Sequence, residues 1–210
     1  MSNLLPLINY DRLRMETDGE GVTTLVASMG CPLSCRYCIN KPILTRNDLV
    51  RNVTPEELLE MVRIDDLYFQ ATGGGIVFGG GEPLLHAAFI RDFAEIMPKE
   101  WKLILETSLN VPEENLRLIM PYVDYYIADI KETDPETYLA YTGISGERAY
   151  NNLRLLAESG LAGKVRVRIP LIPDFNTPDD CTRSAERIRE IGEFDKIELF
   201  SYIIREGTET

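Results

Sequence analysis

Six short β-branched or apolar runs alternate along the chain with helical patterns, and this alternation limits the fold more than any other feature. The runs fall at residues 23–28, 76–78, 102–106, 123–129, 165–169 and 197–202. Several helix starts between them can be read from local chemistry. Thr54-Pro-Glu-Glu57 offers a cap, a first-turn proline and the far half of a capping box, with Val53 and Leu58 spaced as a hydrophobic staple. Leu58, Leu59 and Val62 then mark an apolar face, and Leu85, Phe89 and Phe93 share a stripe after the second run. Residues 113–120 and 150–158 carry further helical patterns. Asp134-Pro135 opens another helix, and Thr177-Pro178-Asp-Asp180 caps one that ends before Gly192. Strand–helix alternation of this kind predicts right-handed βαβ units and a parallel sheet. The expected fold is α/β, either an open doubly wound sheet or a partial (β/α)6 TIM-like barrel open on one side. Residues 1–210 are expected to form one domain, with 1–22 a lead-in closing on the turn Asp18-Gly-Glu-Gly21 and the core at about 23–203.

In both architectures function gathers at the carboxyl ends of the strands. The unusual residues lie there: the cysteines after the first run, Gly79-Gly-Gly-Glu-Pro83 after the second, and Thr107 and Ser108 after the third. Asp129 and Lys131 follow the fourth, and residues 170–176 the fifth. Strand alternation puts Val165, Val167 and Ile169 on one face and Arg166 and Arg168 on the other. Cations on the inner face of a curved sheet need partners or ligands. The alternative is that Arg166 reaches solvent.

Cys31-Pro-Leu-Ser-Cys35-Arg-Tyr-Cys38 holds three of the four cysteines in the pattern C-x3-C-x2-C. Structural zinc sites want four tetrahedral ligands, and Cys181, inside an expected helix, reads as a small core residue. A [4Fe–4S] cluster on three cysteines would leave one iron open, whereas ferredoxin patterns supply four per cluster.

The net charge of −12 disfavours nonspecific nucleic-acid binding. No run is apolar enough to span a membrane, and residues 1–6 lack the character of a secretory signal. The expected location is the cytoplasm, where clustered cysteines bind metals rather than form disulfides. His86 and the tyrosines 125, 126, 138 and 141 read as packing residues, and Glu56-Glu57 and Asp65-Asp66 as solvated helix faces.

The cysteine spacing, with Tyr37 before the last thiol and Gly80-Gly81-Glu82-Pro83 after the second strand, resembles the radical S-adenosylmethionine superfamily. Within it, the chain resembles glycyl-radical-enzyme activating enzymes of the pyruvate formate-lyase type. Asp18-Gly-x-Gly21, Cys38-Ile-Asn40, residues 71–76, Asp129-Ile-Lys131, Tyr141-Thr-Gly143 and residues 168–173 carry that likeness.

With this resemblance the prediction becomes the partial (β/α)6 TIM-like barrel, open on one side. The resemblance implies a [4Fe–4S] cluster on Cys31, Cys35 and Cys38, with S-adenosylmethionine on the open iron. It implies cofactor contacts from Tyr37 (toward the adenine), Gly80, Gly81, Glu82, Thr107, Ser108, Asp129, Lys131 and Arg168. Radical chemistry would be carried by the cofactors, so no catalytic acid or base is expected. The implied reaction is reductive cleavage to a 5′-deoxyadenosyl radical, then hydrogen abstraction from a glycyl residue of a partner glycyl-radical enzyme. A low-potential donor such as flavodoxin or ferredoxin would supply the electron, in an anaerobic setting. Alternatives are a radical enzyme acting on a small molecule or peptide (7-carboxy-7-deazaguanine synthase-like or peptide-modifying) and a non-catalytic metal-binding or electron-transfer module. The chain departs from the family pattern in three places. Glu106-Thr-Ser-Leu109 stands for D-T-N-G, Gly79 for the serine before GGE, and Ile203 for the histidine after the sixth strand.

Overall fold

The computed structural model describes residues 3–15, 17–46, 48 and 50–202, and its strands form one sheet. In chain order the elements begin with β1 (Leu5–Met15), β2 (Val22–Ser28), α1 (Lys41–Leu44), β3 (Arg51–Val53), α2 (Pro55–Val62) and α3 (Asp66–Thr72). β4 (Gly75–Gly80), α4 (Ala87–Ile96), β5 (Lys102–Thr107), α5 (Glu113–Ile119) and β6 (Tyr125–Asp129) follow. The chain continues through α6 (Pro135–Thr142), α7 (Glu147–Glu158), β7 (Val165–Leu171), α8 (Pro178–Arg189) and β8 (Lys196–Ser201). The strand order is β3-β1-β2-β4-β5-β6-β7-β8. The six strands anticipated from sequence are β2 and β4 to β8, each parallel to the next.

The segment read as a lead-in is instead an eleven-residue strand. β1 runs antiparallel to both β2 and β3 and widens the sheet by two strands on that side. Its pairing with β2 shifts register twice, between Leu7 and Asn9 and between Asp11 and Arg14, so no simple alternation marks it.

The parallel strands sort their side chains cleanly. Ile76, Phe78, Leu103, Leu105, Tyr126, Ala128, Val165, Val167 and Ile169 face outward into the main core beneath the helices. Val77, Ile104 and Ile127 form a smaller apolar layer inside the curve, with Leu25 and Tyr125 against it. Above that layer the inner face turns polar, as the strands reach their carboxyl ends. The expected Thr54–Glu57 capping box is present, and Thr177 and Asp180 form a second at α8. Leu85 departs from its expected stripe. Glu82 caps a tight 3₁₀ turn over Pro83–His86, α4 starts only at Ala87, and Leu85 turns outward while Phe89, Ile90 and Phe93 are buried.

Cys181 is buried at the base of α8, its thiol 3.5 Å from the Pro170 carbonyl. His86 is held by the Met29 carbonyl at 2.8 Å. Both are packing residues. Asp65 is not a solvated surface carboxylate. It is fully buried, accepting from Arg12 Nε (3.0 Å) and Nη2 (2.6 Å) and from the Thr24 hydroxyl (2.8 Å). Asp66 accepts from the Trp101 indole at 2.7 Å. The Arg12–Asp65 pair thus pins β1 to the turn ahead of α3. Arg12→Ala strands a buried carboxylate with one hydroxyl donor and is expected to lower the urea midpoint measurably. Urea unfolding of the apoprotein checks this, and a loss too small to resolve would contradict the role given to the pair.

Candidate active site

A cavity of about 350 Å³ opens at the carboxyl ends of the parallel strands. Cys31, Cys35 and Cys38 line one side of it, on the loop leaving β2. All three thiols are free, with Cys35 buried and the other two half-buried. The loop is fastened to the body by backbone bonds: Ser34 N–H to Thr142 O (2.8 Å) and Arg36 N–H to Tyr141 O (3.1 Å).

The turn after β4 supplies the opposing wall. Gly81 donates to Ser28 O (3.0 Å) and Glu82 to Gly30 O (2.7 Å), drawing the turn against the root of the cysteine loop. A Cβ on Gly81 would lie 2.0 Å from Gly30 O, so no side chain fits. Gly80 sits at φ +89°, a left-handed conformation that favours glycine. The Asn40 amide closes the clasp from the other direction, donating to Gly80 O at 2.7 Å.

Glu82 is buried and faces donors only: Thr107 Oγ1 (2.6 Å), Ser108 N (2.8 Å), Ser108 Oγ (2.6 Å) and Leu84 N (3.2 Å). Burial pushes its carboxyl above the ordinary range despite these bonds. The hydroxyls of Thr107 and Ser108 are therefore committed to holding Glu82.

Cations and carboxylates converge on the far side. Asp129 and Arg168 are direct partners across β6 and β7. Arg168 Nε donates to Asp129 Oδ1 at 2.6 Å, and its Nη2 reaches Glu106 on β5. Lys131 Nζ donates to Asp129 Oδ2 at 3.0 Å. Burial alone would raise the Asp129 carboxyl, but the Lys131 and Arg168 charges prevail and hold it below its usual range. Lys131 in turn is raised well above its usual range, because the Asp129 charge outweighs the cost of burial. Arg168 also lies 5.9 Å from the centre of the Phe200 ring.

Two departures from the family pattern meet here. A Cβ on Gly79 would fall 3.2 Å from Glu106 Oε2 and 3.1 Å from Leu25 Cδ1. The longer acid on β5 thus occupies space that the missing side chain on β4 leaves free. Ile203 lies outside the described residues.

Of the residues singled out from sequence, the three cysteines, Gly80, Gly81, Glu82, Thr107, Ser108, Asp129, Lys131 and Arg168 all line this one cavity. Tyr37 is not on its wall. Its ring packs edge-on to Phe175 (6.1 Å) and tilted against Tyr141 (6.3 Å), and its hydroxyl donates to Asp174 at 3.0 Å. Tyr37 therefore belongs to an apolar cluster with Leu33, Cys35, Tyr141 and Ile172 behind the thiols. Arg166 does not simply run out to solvent, since its Nε is buried. Sequence reasoning missed Phe200, Ser201 and Tyr202 as cavity residues, although Phe200 follows Glu198 on the inner face by plain alternation.

The donor set discriminates between metal centres. Among the described residues no three His, Cys, Asp or Glu side chains are placed to hold a single metal ion. Three thiols spread along one cavity wall suit a multinuclear cluster that takes one sulfur per iron. Burial, with Glu82 adding to it, pushes the Cys31 thiol up to about 12, and burial raises Cys35 as well. Thiolates here need a compensating positive centre, which a metal cluster provides.

Comparison with known proteins agrees with this geometry. Residues 25–188 match the Radical SAM superfamily. The chain is 37% identical over 148 residues to the (2S)-3-sulfopropanediol dehydratase activating enzyme of Klebsiella oxytoca, covering 68% of this chain but 46% of that protein. It is 30% identical over 186 residues to the pyruvate formate-lyase-activating enzyme of Clostridium pasteurianum, covering 88% of this chain and 77% of the relative. The chain thus spans less than half the length of the first of these relatives. In fold, Streptococcus suis SuiB bound to S-adenosylmethionine superimposes with a TM-score of 0.69 at 14% identity, over 88% of this chain and 41% of that one. A domain of pyruvate-formate lyase-activating enzyme from Bacteroides vulgatus gives 0.54 at 28% identity, over 62% and 81%. Kinship and cavity converge, and the chain belongs to the radical SAM superfamily of enzymes, on the branch of the glycyl-radical-enzyme activating enzymes.

Proposed function

We propose that Cys31, Cys35 and Cys38 hold a [4Fe–4S] cluster, that S-adenosylmethionine occupies the adjoining cavity, and that the protein generates a glycyl radical on a partner enzyme. One observation carries this reading: three thiols, a glycine wall and a balanced charge cluster line a single cavity at the strand ends. Relatives that are activating enzymes support the glycyl target. When bound, the cofactors would supply the chemistry, a one-electron reductive cleavage of the sulfonium followed by hydrogen abstraction, with Cys31, Cys35 and Cys38 holding the cluster.

The chain's part is to bind, orient and exclude water. The Gly80–Gly81 backbone leaves room for the amino end of S-adenosylmethionine beside the thiols. Lys131, anchored on Asp129, presents a cation to its carboxylate. Arg168, held between Asp129 and Glu106, fixes the position of Asp129. Thr107 and Ser108 act through Glu82, keeping the turn after β4 in place. The apolar cluster around Cys35 and Tyr141 shields the thiols from water on their rear side. A reduced cluster of this kind fits a cytoplasmic, anaerobic setting. Among the described residues no helix is long and apolar enough to cross a membrane.

Two variants test the reading. After anaerobic reconstitution, Cys35→Ala is expected to lose iron binding and 5′-deoxyadenosine formation together, and full iron content with normal cleavage would refute the ligand assignment. Asp129→Asn removes the anchor of Lys131 while leaving the thiols intact. It is expected to keep its iron and to bind S-adenosylmethionine roughly tenfold more weakly, the loss of a charge-assisted hydrogen bond being worth about 1.5 kcal/mol or more. Equilibrium dialysis reads the affinity, and a wild-type value would remove Asp129 from the cofactor site.

A further inference from the structure

Tyr37 stands between Cys35 and Cys38, yet neither it nor its partners Asp174 and Phe175 line the cavity. Its hydroxyl donates to Asp174 Oδ2 at 3.0 Å, on the loop between β7 and α8. The sheet order puts β4, β5 and β6 between β2, which the cysteine loop leaves, and β7. The bond therefore joins segments that the sheet itself keeps apart.

Asp174 is an unusual residue. Its φ is +66°, and only Leu13 and Leu109 share a positive φ with it among the described residues other than glycine. Such a conformation persists where neighbours impose it. Asn176 supplies that constraint. Its Oδ1 accepts from Ile172 N–H (2.6 Å), and its amide donates to Pro170 O (3.0 Å) and Glu132 Oε2 (3.0 Å). Glu132, only 2% exposed, also accepts from Thr133 N–H (2.7 Å) and the Ser184 hydroxyl (2.5 Å). Ile172 O takes the N–H groups of Phe175 and Asn176, both at 3.2 Å. The loop is thus a closed turn fixed to α8 and to the residue that follows Lys131. Glycine would meet the backbone's need at position 174 more easily. What aspartate adds there is the acceptor that Tyr37 uses.

We propose that Asp174 is a positioning residue for the cysteine loop, holding Cys35 and Cys38 in place through the Tyr37 hydroxyl. The inference rests on the reading of these thiols as ligands of one cluster, which have to be presented together. The backbone bonds from Ser34 and Arg36 fasten the loop before Tyr37, and the Asn40 amide fastens it after. Asp174 takes hold between them, within the turn that Cys38 N–H closes on Cys35 O at 3.2 Å. A partner that orients a ligand-bearing segment in this way governs metal retention without touching the metal.

The test begins with the apoprotein, alkylated by iodoacetamide and mapped by peptide. Cys35 is buried and reacts only when its loop opens, while Cys181, buried at α8, is the internal control. Tyr37→Phe and Asp174→Gly each remove half of the bond, and glycine keeps the backbone permissive. Each is expected to raise the Cys35 alkylation rate roughly tenfold and to leave Cys181 unchanged. The double variant should react no faster than either single one. Asp174→Asn keeps an acceptor oxygen and tolerates the left-handed backbone, so it should return the rate to near the wild-type value. After reconstitution, iron release to a chelator should follow the same order. Unchanged Cys35 rates in the two single variants overturn the proposal. So does equal acceleration at Cys35 and Cys181, which would make the bond a general support of the fold. A wild type that binds no cluster would sink the proposed function instead, and the alkylation series would still decide the role of Asp174.

Discussion

The clasp between the loop leaving β2 and the turn leaving β4 is the constraint on which the rest of the site depends. Two backbone bonds, Gly81 to Ser28 and Glu82 to Gly30, and one side-chain bond, Asn40 to Gly80, bring these segments into contact. The approach is possible only because residue 81 has no Cβ and residue 80 tolerates a left-handed backbone. Once the clasp is made, the thiols are no longer on a free loop. They form one wall of a cavity whose other walls are the next strand ends, and a parallel sheet delivers those ends side by side.

Charge balance follows from the same geometry. Asp129, Lys131, Arg168 and Glu106 would be costly in isolation, since each is removed from much of its water. Inner-face positions on β5, β6 and β7, and the residue two past the end of β6, let them neutralise one another, with Asp129 serving two cations at once. Glu82 is handled differently. Among the described residues no cation pairs with it, and it is met by hydroxyl and backbone donors. The cavity therefore holds a neutralised ionic group on one side and an uncompensated buried carboxyl on the other.

What could be read from sequence divides along physical lines. The six parallel strands were legible because each is a compact β-branched or apolar run bounded by glycine, proline or a capping residue. The cysteines, glycines and strand-end charges were legible because parallel sheets collect such residues at one end. β1 was not, because Leu5–Met15 carries Asn9, Asp11, Arg12 and Arg14 and shifts register twice against β2. β3 is too short to declare itself. Missing β1 also hid the burial of Asp65, whose partner Arg12 comes from that strand. A carboxylate pair such as Asp65-Asp66 reads as surface until the cation that crosses over it is known. Tyr37 illustrates a different limit: its place beside the last cysteine suggests the cavity, but its ring finds three-sided aromatic and apolar packing behind the thiols.

The two departures at Gly79 and Glu106 make sense only together. A carboxylate one methylene longer reaches Arg168 from β5 and fills the volume above the Val77–Ile104 layer. A Cβ at position 79 would stand 3.2 Å from that carboxylate, close enough that the acid would have to give by a few tenths of an ångström, so the bare backbone on β4 eases the fit of the longer acid on β5. Arg168 is held by this acid as well as by Asp129, with the Phe200 ring centre 5.9 Å from its guanidinium. The exchange alters the contour of the inner wall without changing its charge, and it leaves the thiols, the Gly80–Gly81 wall and the Asp129–Lys131 pair in place. The thiol loop, the glycine turn and the strand-end ion pairs therefore stay fixed as one unit, while the wall beside them changes shape at a single pair of facing positions.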